Sequence, residues 1–143
     1  MKKHFLTEKQ EKKIVKAIRN AERKTTGEIR VHITFEHSED HYERAVNVFE
    51  QLNMSETQDR NAVLFHVCLS DKNLTVIGDL GIHRKIPKDY WQKITHKVSR
   101  KFKKKKYAKG LVLGIEMCGQ ILKEYFPSEV IDINELPDEI SLS

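Results

Sequence analysis

Residues 61–69, Asn-Ala-Val-Leu-Phe-His-Val-Cys-Leu, constrain the fold more than any other stretch of the chain. Read as a strand, they put Ala62, Leu64, His66 and Cys68 on one face and Val63, Phe65, Val67 and Leu69 on the other, because successive side chains alternate across a strand. A strand that is apolar on both faces has to be covered on both, which predicts a central strand between layers of helix. An earlier stretch behaves differently. Ile29, Val31, Ile33 and Phe35 alternate with Arg30, His32, Thr34 and Glu36, the pattern of a strand with one apolar face. Between the two, Tyr42, Ala45, Val46, Phe49 and Leu52 recur at helical spacing and predict a helix over 41–53. A strand, a helix and a strand in succession make the two strands parallel, joined by a right-handed crossover.

The flanking segments complete the layers. Thr7-Glu8-Lys9-Gln10 is a capping box, and Ile14, Val15, Ile18 and Ala21 continue it as a helix over 8–24. Ser70-Asp71-Lys72-Asn73 is turn-rich and 74–77 is short and β-branched, which predicts a hairpin with a loop of about four residues and a third strand antiparallel to the second. Pro87 opens a third helix that buries Tyr90, Trp91, Ile94 and Val98; Leu111, Ile115, Cys118 and Leu122 mark a fourth, ending near Phe126-Pro127. Gly114 and Gly119 inside it cost about 1 kcal/mol each relative to alanine, so close helix packing is the expected compensation. The order α-β-α-β-β-α-α predicts a three-layer α/β/α sandwich, Rossmann-like, around a small mixed sheet. One domain is expected over 1–143, with an acidic tail at 128–143.

A chain of 143 residues is long enough to bury roughly two thirds of its unfolded surface without disulfides or a structural metal. Its two cysteines stand fifty residues apart inside apolar stretches, unlike the close spacing of redox or zinc motifs, and read as small buried side chains. No apolar run reaches the roughly 18 residues of a membrane span, and the start, MKKHFLTEKQEKK, lacks the apolar core of a signal peptide; a soluble, cytoplasmic protein is expected. The net charge of +5 is local, since 100–106 carries six positive charges in seven residues while 128–143 carries five acids and no lysine or arginine. One aromatic residue interrupts the basic run and no zinc finger or helix-turn-helix pattern accompanies it. Nucleic acid is therefore disfavoured as a partner, and 100–106 is expected to be an exposed helix end; the acidic tail folding back toward it is the plain alternative.

With the first two strands parallel and the third running back, the starts of strands one and two and the end of strand three meet at one pole of the sheet. Glu22, Glu28, Asp59, Asp79 and Asp89 gather there. Clustered carboxylates repel unless a cation or a basic group intervenes, and oxygen ligands suit Ca²⁺ or Mg²⁺. Two readings stay open: a cation held among these acids, or an ion-pair network in which Arg60 supplies the balancing charge. The rival location is the opposite pole, with Glu36, His37, Glu39, Asp40 and Asp71, which the strand-end rule for open α/β sheets prefers. His37 and His41 there are expected to face solvent, and His32 and His66 to be satisfied or partly exposed strand histidines. There is no Walker loop, Rossmann glycine fingerprint, HExxH, GxSxG or Cys-x5-Arg loop.

Taken together, Ala21-Glu22-x-x-Thr25-Thr26-Gly27-Glu28-Ile29, Thr57-x-x-Arg60-Asn61-x-Val63-Leu64, Gly78-Asp79-x-Gly81-Ile82 and the closing Asn134-Glu135-Leu136-Pro137-Asp138-Glu139-Ile140-Ser141 resemble the TPM domain family. The resemblance spans nearly the whole chain and implies an α/β/α sandwich around a small mixed sheet. The family includes a plant thylakoid-lumen protein with acid phosphatase activity, an animal membrane protein that modulates an acetylcholine receptor, and many bacterial proteins of unknown role, whose short stand-alone members share the acidic ending. Its motif acids correspond to Glu22, Glu28 and Asp79, with Asp89 at the next helix start. Divalent cation binding by members favours a cation at that pole. No counterpart of the signal peptide and membrane tail of many members is expected here, and Ala62 stands where the family usually has glycine. Two functions follow as expectations: a monomeric, non-catalytic module whose cation orders loops for a protein partner, or a metal-dependent phosphatase with Arg60 holding the phosphate.

Overall fold

A computed structural model describes residues 6–128 and 140–142. Among the described residues nine elements follow in the order α1 (Glu8–Glu22), β1 (Glu28–Thr34), α2 (His41–Gln51), β2 (Ala62–Cys68), β3 (Asn73–Gly78), α3 (Leu80–Lys85), α4 (Lys88–Lys103), α5 (Tyr107–Tyr125) and β4 (Ser141–Leu142). The four strands form one mixed sheet in the order β3-β2-β1-β4. β1 and β2 are parallel, with Val31 opposite Phe65, and β3 is antiparallel to β2, with Val76 opposite Phe65. All seven residues of β2 are buried; the strand is central because both its faces carry side chains that water would penalise.

The two faces are covered unequally. On one, α1, α4 and α5 pack Ile14, Ile18, Ile94, Val98, Phe102, Leu111 and Ile115 against Ile29, Val31, Val63 and Phe65. On the other, α2 sets Ala45, Val48 and Phe49 against Ala62, Leu64 and Ile77. The capping box at Thr7 forms as its spacing predicts, Gln10 N–H reaching the Thr7 hydroxyl at 3.1 Å and Gln10 Oε1 accepting Thr7 N–H at 2.9 Å. Gly119 lets α5 approach α1, for a Cβ there would stand 2.6 Å from Ala21 Cβ; at Gly114 it would meet Val98 at 2.8 Å and Phe65 at 2.9 Å. The helix-propensity penalty of both glycines is thus offset by contacts that a side chain would forbid.

Three features depart from the sequence expectation. α3 is an additional helix, started by Asp79, whose carboxylate accepts Leu80 N–H at 2.8 Å; six residues are too few to register as a helical period. β4 joins the open edge of β1, parallel, through His32↔Ser141 and Ile33↔Leu142. The polar face of β1 is also largely withdrawn from water, with Glu28, His32 and Thr34 buried. The basic run closes α4: Lys105 adopts φ 60, Lys105 N–H bonds the Phe102 carbonyl and Lys106 N–H the Lys101 carbonyl, both at 2.9 Å, a Schellman arrangement with lysine where glycine is usual. Phe102 is buried while Lys103, Lys104, Lys105 and Lys106 are exposed. The five acids of the tail fall at 129–139, outside the described residues, as does its expected return toward the basic segment. No helix among the described residues is long and apolar enough to cross a membrane.

Candidate metal centre

At the amino ends of β1 and β2, the acids act as fastenings. Glu22 Oε2 accepts Ile29 N–H at 2.8 Å and so ties the end of α1 to β1. Thr26 donates to Asp59 Oδ2 at 3.0 Å and accepts from Asn61 Nδ2 at 2.9 Å. Arg60, held at φ 50, grips Asp79 in a two-pronged pair, Nε to Oδ2 at 2.7 Å and Nη2 to Oδ1 at 2.8 Å. That pairing raises the Arg60 pKa further above its ordinary value, its hydrogen bond to Asp79 outweighing desolvation. Gly81 completes the fastening: its N–H bonds the Arg60 carbonyl at 2.8 Å, and any Cβ would collide with the carbonyl oxygens of Asp59 and Arg60. Glu22, Glu28 and Asp79 are buried at this pole, whereas Asp89 lies exposed in the first turn of α4. The four expected ligands do not form a group with ligand atoms within 4.8 Å of one another. Arg60 lies against Asp79 as its counter-charge.

The opposite pole brings different chemistry together. Among the described residues, one group of three His, Cys, Asp or Glu side chains has its ligand atoms within 4.8 Å of one another: His41, Cys68 and Asp71. Cys68 is the last residue of β2, directed by strand alternation to the α2 side. His41 is the first residue of α2, whose N-cap Asp40 accepts Glu43 N–H at 2.9 Å. Asp71 lies in the four-residue β2–β3 loop, where Lys72 takes φ 51. Asp71 Oδ2 receives both His41 Nε2, at 2.9 Å, and His37 Nδ1, at 2.8 Å. The β1–α2 loop is stapled beside them: Cys68 donates to the Glu36 carbonyl at 3.1 Å, and the Arg44 guanidinium donates to the carbonyls of Glu36 and His37.

The electrostatics follow from these contacts. Burial works against ionisation of Asp71, but the hydrogen bond to His37, the Ser38 N–H and Ser70 together leave its pKa below the ordinary carboxylate value. His37, exposed and flanked by Glu39 and Asp71, has its pKa raised by their hydrogen bonds and charge. It faces solvent as expected; His41 does not, its side chain being only 21% exposed and engaged with Asp71. Behind the cluster, His32 and His66 stack across β1 and β2 with ring centroids 5.4 Å apart and planes 8° apart. Burial depresses both to a pKa of about 4, assisted at His32 by Arg30 and at His66 by the His32 ring, Arg44 and His41. His32 Nδ1 is 3.0 Å from Ser141 Oγ, while both nitrogens of His66 are buried with no hydrogen-bond partner among the described residues. Neither strand histidine is partly exposed: both are buried and neutral, His32 satisfied at Nδ1 and His66 at neither nitrogen among the described residues.

Nitrogen, sulfur and carboxylate donors in one cluster suit a borderline ion of the zinc kind better than Ca²⁺ or Mg²⁺, which prefer oxygen alone. Its place at the carboxyl ends of parallel strands is where open α/β sheets bind ligands. His41 and Cys68 are the residues that sequence reasoning passed over as ligands. The available signal was Cys68-x-x-Asp71, a thiol closing the central strand and a carboxylate in the turn after it.

An open mixed sheet between helix layers, with polar clusters at both ends of its parallel strands, defines an α/β/α sandwich. The chain belongs to the TPM domain family, whose model matches residues 1–121. It is similar over its whole length to the BA42 protein of the psychrophilic bacterium Bizionia argentinensis, known from an NMR structure, with 41% identity, 100% of this chain and 99% of that one covered, and a TM-score of 0.93. The N-terminal domain of a protein from P. gingivalis matches at 16% identity, covering 85% of this chain and 78% of that one, with a TM-score of 0.67. The N-terminal domain of the Corynebacterium glutamicum protein cg2496 matches at 9% identity, covering 92% and 82%, with a TM-score of 0.68. The last two show the shared fold alone. A comparison with curated proteins yields no match.

Proposed function

We propose that this TPM domain is a monomeric, non-catalytic binding module whose β1–α2 and β2–β3 loops are ordered by a divalent metal ion, so as to present a defined surface to a protein partner. The observation that carries the reading is the convergence of His41, Cys68 and Asp71, with His37 on the same Asp71 oxygen. A bound ion would take the place of the thiol proton that Cys68 now donates to the Glu36 carbonyl and would draw His41, Cys68 and Asp71 together, locking two loops; binding would add stability by mass action. Deprotonation of the thiol makes affinity rise with pH. The sequence expectation of Ca²⁺ or Mg²⁺ on Glu22, Glu28, Asp79 and Asp89 is the less supported placement, because a cation on Asp79 would have to displace a two-pronged arginine. The same pair commits the guanidinium that a phosphatase would use to hold phosphate.

Backbone NMR titration with Zn²⁺, Ca²⁺ and Mg²⁺ tests the reading. Saturable Zn²⁺ shifts at 36–41 and 68–73, lost in Asp71→Asn and Cys68→Ser, are expected. Shifts confined to Glu22, Glu28, Asp79 and Asp89 would place the ion at the amino pole, and no saturable shift would refute metal binding. Phosphate-ester hydrolysis that depends on added metal and disappears in Asp79→Asn would establish the phosphatase instead.

A further inference from the structure

One edge of the sheet is built unlike most edges. β3 is the outermost strand on its side, six residues long, and its sequence Asn-Leu-Thr-Val-Ile-Gly contains no charge and no proline. Proteins usually blunt an exposed edge with lysine, proline, a bulge or extreme shortness, because a free row of N–H and C=O groups recruits other strands. The opposite edge, β4, has only two residues. The direction of the free groups follows from the register. Asp79 N–H bonds the Ala62 carbonyl at 3.0 Å, and ladder bonds alternate along an antiparallel pair; Ile77, Thr75 and Asn73 therefore bond toward β2, while the backbone of Leu74, Val76 and Gly78 points to the open side.

That open side is a groove of about 850 Å³, lined by Val76 and Gly78 of β3, by Trp91 and His96 of α4, and by Tyr42 of α2 and Lys88. Tyr42 is one of three large apolar side chains left strongly exposed among the described residues, at 65%. Among the described residues no aspartate or glutamate lines the groove; the ionisable ones that do are Lys88, His83, His96 and Tyr42. An added strand lies about 4.8 Å from its neighbour, between these two helical walls, and main-chain pairing of this kind supplies affinity while alternate side chains supply selectivity.

We infer that the β3 edge is a docking site for an extended acidic segment of a partner protein, which pairs with Leu74, Val76 and Gly78 and sets alternating apolar and acidic side chains against Trp91 and Lys88. Charge selects this occupant over a second copy of the chain: the groove carries Lys88 and, among the described residues, no carboxylate, so the same edge of a twin brings it no acidic partner whereas an acidic segment does. None of His41, Cys68 and Asp71 lines the groove, so peptide binding there is tested apart from the metal.

The probe is a capped heptapeptide of alternating valine and glutamate, with a control in which lysine replaces glutamate. Titrated into ¹⁵N-labelled full-length protein at neutral pH, the glutamate peptide is expected to saturate, to bind about tenfold or more tightly than the control, and to slow hydrogen exchange of the Leu74, Val76 and Gly78 amides, for which fast exchange is expected in the free protein. Val76→Pro removes one outward donor and leaves the β2–β3 ladder intact, since proline is tolerated where the N–H faces outward, and should abolish binding. Should that variant fail to fold, Lys88→Glu with His96→Glu gives the decision by reversing the preference between the two peptides. Equal binding of both peptides, protection elsewhere, slow exchange of the three amides in the free protein, or concentration-dependent dimerisation through β3 would each overturn the proposal.

Discussion

The two poles of the sheet are built from similar residue types and do opposite things. At the amino pole, each described acid contact ends on a fixed partner: Glu22 on a backbone N–H, Asp59 on Thr26, Asp79 on Arg60 and on the cap of α3. These contacts stitch four chain segments together. At the carboxyl pole, a single carboxylate oxygen of Asp71 is shared by two imidazoles beside a buried thiol. Shared acceptors and protonatable donors are what a metal ion can replace, whereas a bidentate guanidinium is not displaced without loss of the fold's own counter-charge. Acid density alone therefore does not locate a site; what already neutralises each acid does.

The largest test of this contrast is acidification. His32 and His66 are held near a pKa of about 4 against an ordinary 6.5, so the unfolded chain binds protons that the folded one refuses. Their stabilisation is full above pH 6.5 and is lost as pH falls toward 4, by on the order of 3 kcal/mol for the pair after allowance for solvent relaxation. Urea unfolding at pH 7 and pH 5 should show most of that loss, and His66→Leu should flatten the slope between them. Next comes Gly81→Ala, expected to cost about 2 to 3 kcal/mol because the added methyl meets the Asp59 and Arg60 carbonyls; the midpoint of urea unfolding reads it. Asp79→Ala should cost about 1 to 2 kcal/mol through loss of a helix cap and a paired carboxylate, without change in metal affinity. Asp71→Asn makes the smallest change to the metal-free protein, with a thermal midpoint within about 2 °C of the parent, yet should weaken Zn²⁺ binding about tenfold or more. An Asp71 variant that unfolds, or an Asp79 variant that loses the metal, would erase the distinction between the poles.

Much of this was legible in the chain itself. The alternation in 29–35, the doubly apolar 61–69 and the intervening helical period determine a parallel pair with a central β2, because solvent exclusion acts on each face separately and the periods 2 and 3.6 are local. The α3 helix and β4 were not legible: six residues show no period, and two residues acquire strand geometry only from β1. The acids at the amino pole were likewise legible as neighbours, since topology alone brings the ends of three strands together. Which of them is neutralised, and by what, depended on the left-handed turn at Arg60 and the close approach at Gly81, contacts between segments about twenty residues apart. The His41, Cys68 and Asp71 cluster joins a helix start, a strand end and a turn, each bland in its own context. Only the tertiary structure could decide it, because side-chain donors converge through the packing of α2 on the sheet, and no local period encodes that distance.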